Sequence, residues 1–271
     1  MRAALLAEYR KVVSTRMWWI LLIVMAAYLG FVAGFVALSL VAPEAAGSPN
    51  GAPASALTGP DAASAVYALV NTVGYVFPLV IGSLAVTTEF RYQTITPSLL
   101  AEPSRTRLLV GKLAVMLPTG LLYGVVGSVA TVGVAAPVLA ILGDGAFLGE
   151  GEVIGGVLLG ILVTGLWAVI GVGFGSLVPN QVAAIVVILT VTQFVEPIAR
   201  IALAAFDPVS GLAKYLPASA ADAVIGASVF DAFGGGGEEL LSRPGGLLVM
   251  VAYAVVFAVL GRLVTLRRDI G

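Results

Sequence analysis

The chain has 271 residues, 59% of them hydrophobic and only 11% charged, where a soluble domain carries roughly 25% charge. Mean hydropathy is +1.06, which fits a polytopic membrane protein; a net charge of -1 says nothing about partners, and no nucleic-acid partner is expected. Without a single cysteine or histidine, the chain cannot build disulfides, thiolate metal sites or a serine–histidine nucleophile.

Residues 1–16, MRAALLAEYRKVVSTR, put Leu5, Leu6, Tyr9, Val12 and Val13 on an approximate helical stripe, with Glu8, Arg10 and Lys11 elsewhere. This predicts an amphipathic helix on the cytoplasmic membrane surface, turning at the Trp18–Trp19 interfacial anchor. The apolar run Met17–Val41 follows. It is longer than the ~7–15 residues of a secretory signal core and reaches the ~20 of a bilayer span, so it is expected to be an uncleaved span. Residues 42–64, rich in Ala, Gly, Pro and Ser, read as a flexible external loop.

A second span is expected at Ala65–Val86 and a third at Leu113–Ile141, the latter tilted or ending before Pro137. The fourth is Val153–Val178; Gly151, Gly155, Gly156, Gly160, Gly171 and Gly175, in it or just before it, include three small-xxx-small pairs, which suit close helix packing. The turn VPNQ leads into a fifth span, Val182–Ile201, as an antiparallel hairpin. The outer segment 207–245 is half apolar and predicts short helices broken at Pro217, on or in the outer leaflet, with the glycines 234–237 as a flexible link. The sixth span is Leu247–Leu266.

The expected fold class is therefore an all-α polytopic membrane protein, one transmembrane domain over residues 1–271. Eleven of the 14 basic residues fall on one side if there are six spans: Arg2, Arg10, Lys11, Arg16, Arg91, Arg105, Arg107, Lys112, Arg262, Arg267 and Arg268. Most acids fall on the other. An even span count with both termini cytoplasmic follows from the positive-inside rule.

Two places concentrate polar chemistry. Glu196 and Arg200, spaced i,i+4, are expected to pair near the outer interface, either structurally or as a gate. Asn71, Thr190, Thr192 and Gln193 can line a cavity or bond between helices. Gly111–Lys112 is the only Gly-Lys, and it lacks the spacing of a phosphate loop, so ATP hydrolysis would need another chain. No cofactor site is expected in this one.

The stretch TTEFRYQTITPSLLAEPSRTRLLVGKL, residues 87–113, gathers Glu89, Arg91, Glu102, Arg105, Arg107 and Lys112 between two apolar rods. Thr87 or Thr88 is expected to cap a short helix that Pro97 ends, and Ser104 to cap the helix of the third span. Phe90, Arg91 and Tyr92 are residue types favoured at protein interfaces. The pattern E-[FY]-R-x-x-T-[IL]…P-x-R-x-x-[LYF]-x-x-[AG]-K is met by Glu89, Phe90, Arg91, Thr94, Ile95, Pro103, Arg105 and Lys112.

Over about 26 residues this stretch resembles the loop of ABC-2 type transporter permeases of the bacterial drug-exporter and bacitracin-type group. The resemblance implies a permease subunit of an ATP-driven exporter in the bacterial plasma membrane. Its partners would be a separately encoded ATPase subunit holding ATP and Mg, a second permease copy, identical or not, and membrane lipids. Residues 88–96 would form a coupling helix that docks on the ATPase, with Glu89, Phe90, Arg91, Tyr92, Thr94 and Ile95 making the contact. Pro103, Arg105, Arg107 and Lys112 would anchor the loop. On this reading Glu89→Ala keeps the fold and lowers coupling. The alternatives are an ion-gradient-driven transporter and a non-transport immunity or assembly protein.

Overall fold

The computed structural model describes residues 2–42, 57–102, 104–204, 207–229 and 240–264, and the described residues form helices and no strand. Among the described residues five helices are long and apolar enough to cross a membrane: α2 (Met17–Val41), α7 (Arg105–Leu142), α8 (Gly151–Leu177), the run Gln181–Leu203, and the last described helix, Arg243–Val264. The helix α1 (Arg2–Ser14) precedes α2 across a bend at Thr15 and Arg16.

The expected second span is not one rod. It comprises α3 (Gly59–Tyr67), α4 (Leu69–Thr72) and α5 (Val76–Arg91), the last two parted by a turn at 73–75. A Cβ on Gly74 would press on the Val70 carbonyl oxygen at 2.5 Å and on Leu29, so this turn needs the close approach only glycine gives. The broken segment still joins both ends of the bundle. Tyr67 bonds the Ala146 carbonyl at one end, and Ala85 and Glu89 accept Lys112 at the other.

At the heart of the bundle, α8 packs on α5, α7 and the last helix. Eleven of the 16 residues of α5 are buried, which makes it the most enclosed of the long elements. Gly171 and Gly175 abut the backbone of Leu79 and Ser83, and Gly82 on α5 abuts that of Ala168. These positions realise the expected close packing. By contrast Gly151 and Gly155 face open space.

The helix α7 runs unbroken through Pro118 and Pro137, 38 residues or about 57 Å, so the expected third span does not end before Pro137. Ser104 caps it as expected, accepting from the Arg107 N–H. Asn180 caps α9 (Gln181–Thr190), but α9 leans on α5 rather than on α8, so the expected hairpin is splayed. A π-helical turn, Val191–Val195, separates α9 from α10 (Glu196–Ala204). In the segment 207–245 a 3₁₀ helix, Asp207–Tyr215, precedes α11 (Pro217–Ile225), so the two short helices part at Pro217 as expected, with the proline opening the second. The glycines 234–237, Glu44, Pro103, Arg267 and Arg268 lie outside the described residues. The last helix, Arg243–Val264, is α12.

Candidate functional site

The stretch 87–112 is built differently from its expected form. No separate helix begins at Thr87. Instead α5 runs on through Arg91, and the Thr87 and Thr88 hydroxyls donate back to the Ser83 and Leu84 carbonyls rather than capping. The chain turns at Gln93, whose φ is 56°. The short helix of the loop is α6 (Ile95–Ala101), one step later than expected. Pro97 sits in its first turns, where a missing N–H is tolerated.

Glu89 is the centre of a buried ionic cluster. Its Oε1 accepts the ammonium groups of Lys11 and Lys112, each at 2.6 Å. Glu8 faces the same two lysines, at 2.5 Å from Lys11 and 2.8 Å from Lys112. Lys112 also donates to the Ala85 carbonyl at 3.0 Å, and Lys11 to Ser98 Oγ at 3.1 Å. Each ammonium therefore fills three donor directions, and two acids balance two bases. Glu8, Glu89 and Lys112 are at most 5% exposed. Burial works against the charge on Lys11, but its hydrogen bonds with Glu8 and Glu89 and their fields outweigh it and hold its pKa above the ordinary lysine value.

The cluster ties α1, α5, α6 and α7 together at one end of the bundle. Around it pack Val86, Leu109, Val115, Met116, Ala168 and Val172, with Leu5 and Val12 of α1 and Phe90 against them. The expected stripe on α1 is thus split: Leu5 and Val12 face the protein, whereas Leu6, Tyr9 and Val13 remain exposed.

The other residues of the expected loop site scatter. Ile95 is buried, and the Thr94 N–H donates to the Glu89 carbonyl. Arg91 and Tyr92 stand out at the tip, with the guanidinium 5.6 Å from the Tyr92 ring centroid and 3.2 Å from Gln181 Oε1 of α9. Arg107 makes only a loose exposed pair with Glu102 at 3.6 Å. Arg105 lies in the first turn of α7.

At the opposite end, Glu196 and Arg200 do not pair with each other as the spacing suggested. Glu196 accepts the Ala218 N–H at the start of α11, and Arg200 bonds Asp222 of α11 at 3.0 Å. Two charges of α10 thus grip one short helix, whose residues Ala218 to Ile225 are all buried. Next to the grip, Tyr75 donates to the Thr192 carbonyl inside the π-helical turn and packs against Trp167, with ring centroids 4.5 Å apart and planes tilted by 37°. Glu8, Lys11, Ser98 and Asp222 were not foreseen. The signal for the first two was a Glu–Lys pair at i,i+3 on a helix otherwise expected to lie on the membrane.

No protein-family model matches this chain, and no curated protein matches it.

Proposed function

We propose that this chain is the membrane-spanning permease subunit of an ATP-driven exporter of the ABC-2 type. It would cross the bacterial plasma membrane six times with both termini cytoplasmic, α1 lying along the membrane surface. It would pair with a second permease copy and with separately encoded ATPase subunits that hold ATP and Mg. The observation that carries this reading is the loop clamped by a four-charge cluster, three of its members buried, which leaves Arg91 and Tyr92 projecting beside Gln181.

A loop that passes movement to a bundle must be stiff at its root and open at its tip. The cluster supplies stiffness, because displacing Glu89 also displaces α1 and α7. The exposed arginine and tyrosine supply contact chemistry. This reassigns Glu89 from a docking residue to a positioning residue. Glu89→Ala would leave two lysines short of countercharge in a buried site, so it is expected to destabilise the chain rather than leave its fold intact.

The test is co-purification. The tagged chain is extracted in mild detergent and its soluble partners are identified by mass spectrometry. The expected partner carries G-x-x-x-x-G-K-[ST], and the double change Arg91→Ala/Tyr92→Ala releases it while the thermal unfolding of the chain is unchanged. If no ATPase co-purifies with the unaltered chain, the ATP-driven reading fails.

A further inference from the structure

A cavity of about 290 Å³ opens at the end of the bundle remote from the ionic cluster, between α3, α7, α8 and α11. Its floor is set by Asn71, Ser128 and Gly160, and its mouth by Asp61, Glu152 and Arg243. Gly160 is nine residues into α8, so the cavity reaches about 14 Å below the start of that helix. A solvent-lined depth of this kind inside an apolar bundle is costly unless its polar groups are used.

The floor groups are only half used. Asn71 is 2% exposed, and its Oδ1 accepts the Thr164 hydroxyl at 3.1 Å. Its amide nitrogen meets no acceptor among the described residues and lies beside Gly160, where a Cβ would come within 2.6 Å of it. Ser128, 7% exposed, likewise makes no side-chain hydrogen bond to a described residue. Two donors therefore line the cavity without an acceptor among the described residues.

The mouth has a definite sign. Arg243 lies against Gly226, the left-handed residue that ends α11, with its Nη2 2.9 Å from where a Cβ would stand. Its charge answers the carbonyl end of that helix. Asp61 and Glu152 stand in the first turns of α3 and α8, and neither forms an ion pair with a described residue. The rim thus carries two carboxylates and one guanidinium, a net charge of -1.

We propose that this cavity binds a small solute with one cationic amine, held by Asp61 and Glu152, and an oxygen acceptor reaching Asn71 and Ser128. The cavity lies within one subunit, and the proposal stands independently of any ATPase partner.

The cysteine-free chain allows a direct test. Ser128→Cys, a near-isosteric change, is reconstituted in nanodiscs and labelled with a trimethylammonium or a sulfonate thiosulfonate reagent of similar size. The cationic reagent is expected to react roughly tenfold faster, since a net negative rim concentrates its counter-ion. Asp61→Asn/Glu152→Gln should erase that preference. Benzylamine should protect the thiol, and benzyl alcohol should not. Thr131→Cys, one turn along α7 and fully buried, should stay unlabelled. Equal rates for the two reagents, no labelling at Ser128→Cys, equal protection by the alcohol, or labelling of Thr131→Cys at the same speed would each overturn the proposal.

Discussion

The two ends of the bundle bury charge in different ways. At one end four side chains from α1, α5 and α7 form a balanced ring of two acids and two bases. At the other, Glu196 and Arg200 on one helix reach separately to α11, one to its opening N–H and one to Asp222. The first arrangement joins segments up to 104 residues apart, so no member can shift alone. The second fastens one nine-residue helix to its neighbour. A shared ring suits transmission of movement, whereas two separate bonds suit holding a piece in place. The difference is one of connectivity rather than of burial.

The sharpest way to break this comparison is Lys112→Met. It removes the most buried base of the ring and leaves Glu8 and Glu89 with only the half-exposed Lys11. Loss of one partner from a buried cluster costs about 3–5 kcal/mol. Denaturant unfolding in detergent should show it, and Lys112→Met/Glu89→Gln should cost much less than the sum of the single changes. Additive losses would mean that the ring does not act as a unit.

Glu196→Ala should have a smaller and more local effect, about 1.5–3 kcal/mol for a hydrogen bond to a charged group. Hydrogen exchange should rise in α11 and stay unchanged in α5 and α8. Faster exchange in α5 would erase the distinction between the two ends.

The smallest effect expected is the pH response of Lys11. Its pKa is raised above the ordinary 10.5, so its stabilising contribution is fully present below that value and is lost as pH climbs through the raised one. The difference in melting temperature between the unaltered chain and Lys11→Met should be constant from neutral pH to about 10 and shrink above it. A difference that changes near neutrality would place the charge of the cluster elsewhere.

Apolar run length was the most legible feature, because length and hydropathy are all that a span requires. Met17–Val41 is helical over the expected residues, and Ser104 caps α7 as the sequence suggested. The break at Gly74 was invisible to hydropathy, since the residues around it remain apolar, and only the approach of Leu29 and the Val70 carbonyl explains it. Glycine spacing pointed to packing but did not separate Gly171 and Gly175, which touch α5, from Gly151 and Gly155, which touch nothing. The Glu196–Arg200 spacing was correct as helical geometry and misleading as a pairing rule. Both residues found better partners on a segment more than 20 positions away, which local periodicity cannot see. For the same reason Glu89 read as a surface contact: nothing in its neighbourhood announces that Glu8 and Lys11 come to meet it.

The broken segment α3–α5 has a consequence for the order of biosynthesis. Its longest uninterrupted helix has 16 residues, short of the ~20 that partition stably into lipid alone, and it carries Asn71 and a run of turn residues before that helix. Nearly all of its surface is destined for protein, and much of that protein is α8, which emerges from the ribosome later. A nascent chain halted before α8 would therefore hold this segment loosely at the translocon, and its settled place would be reached only when the glycine face of α8 arrives.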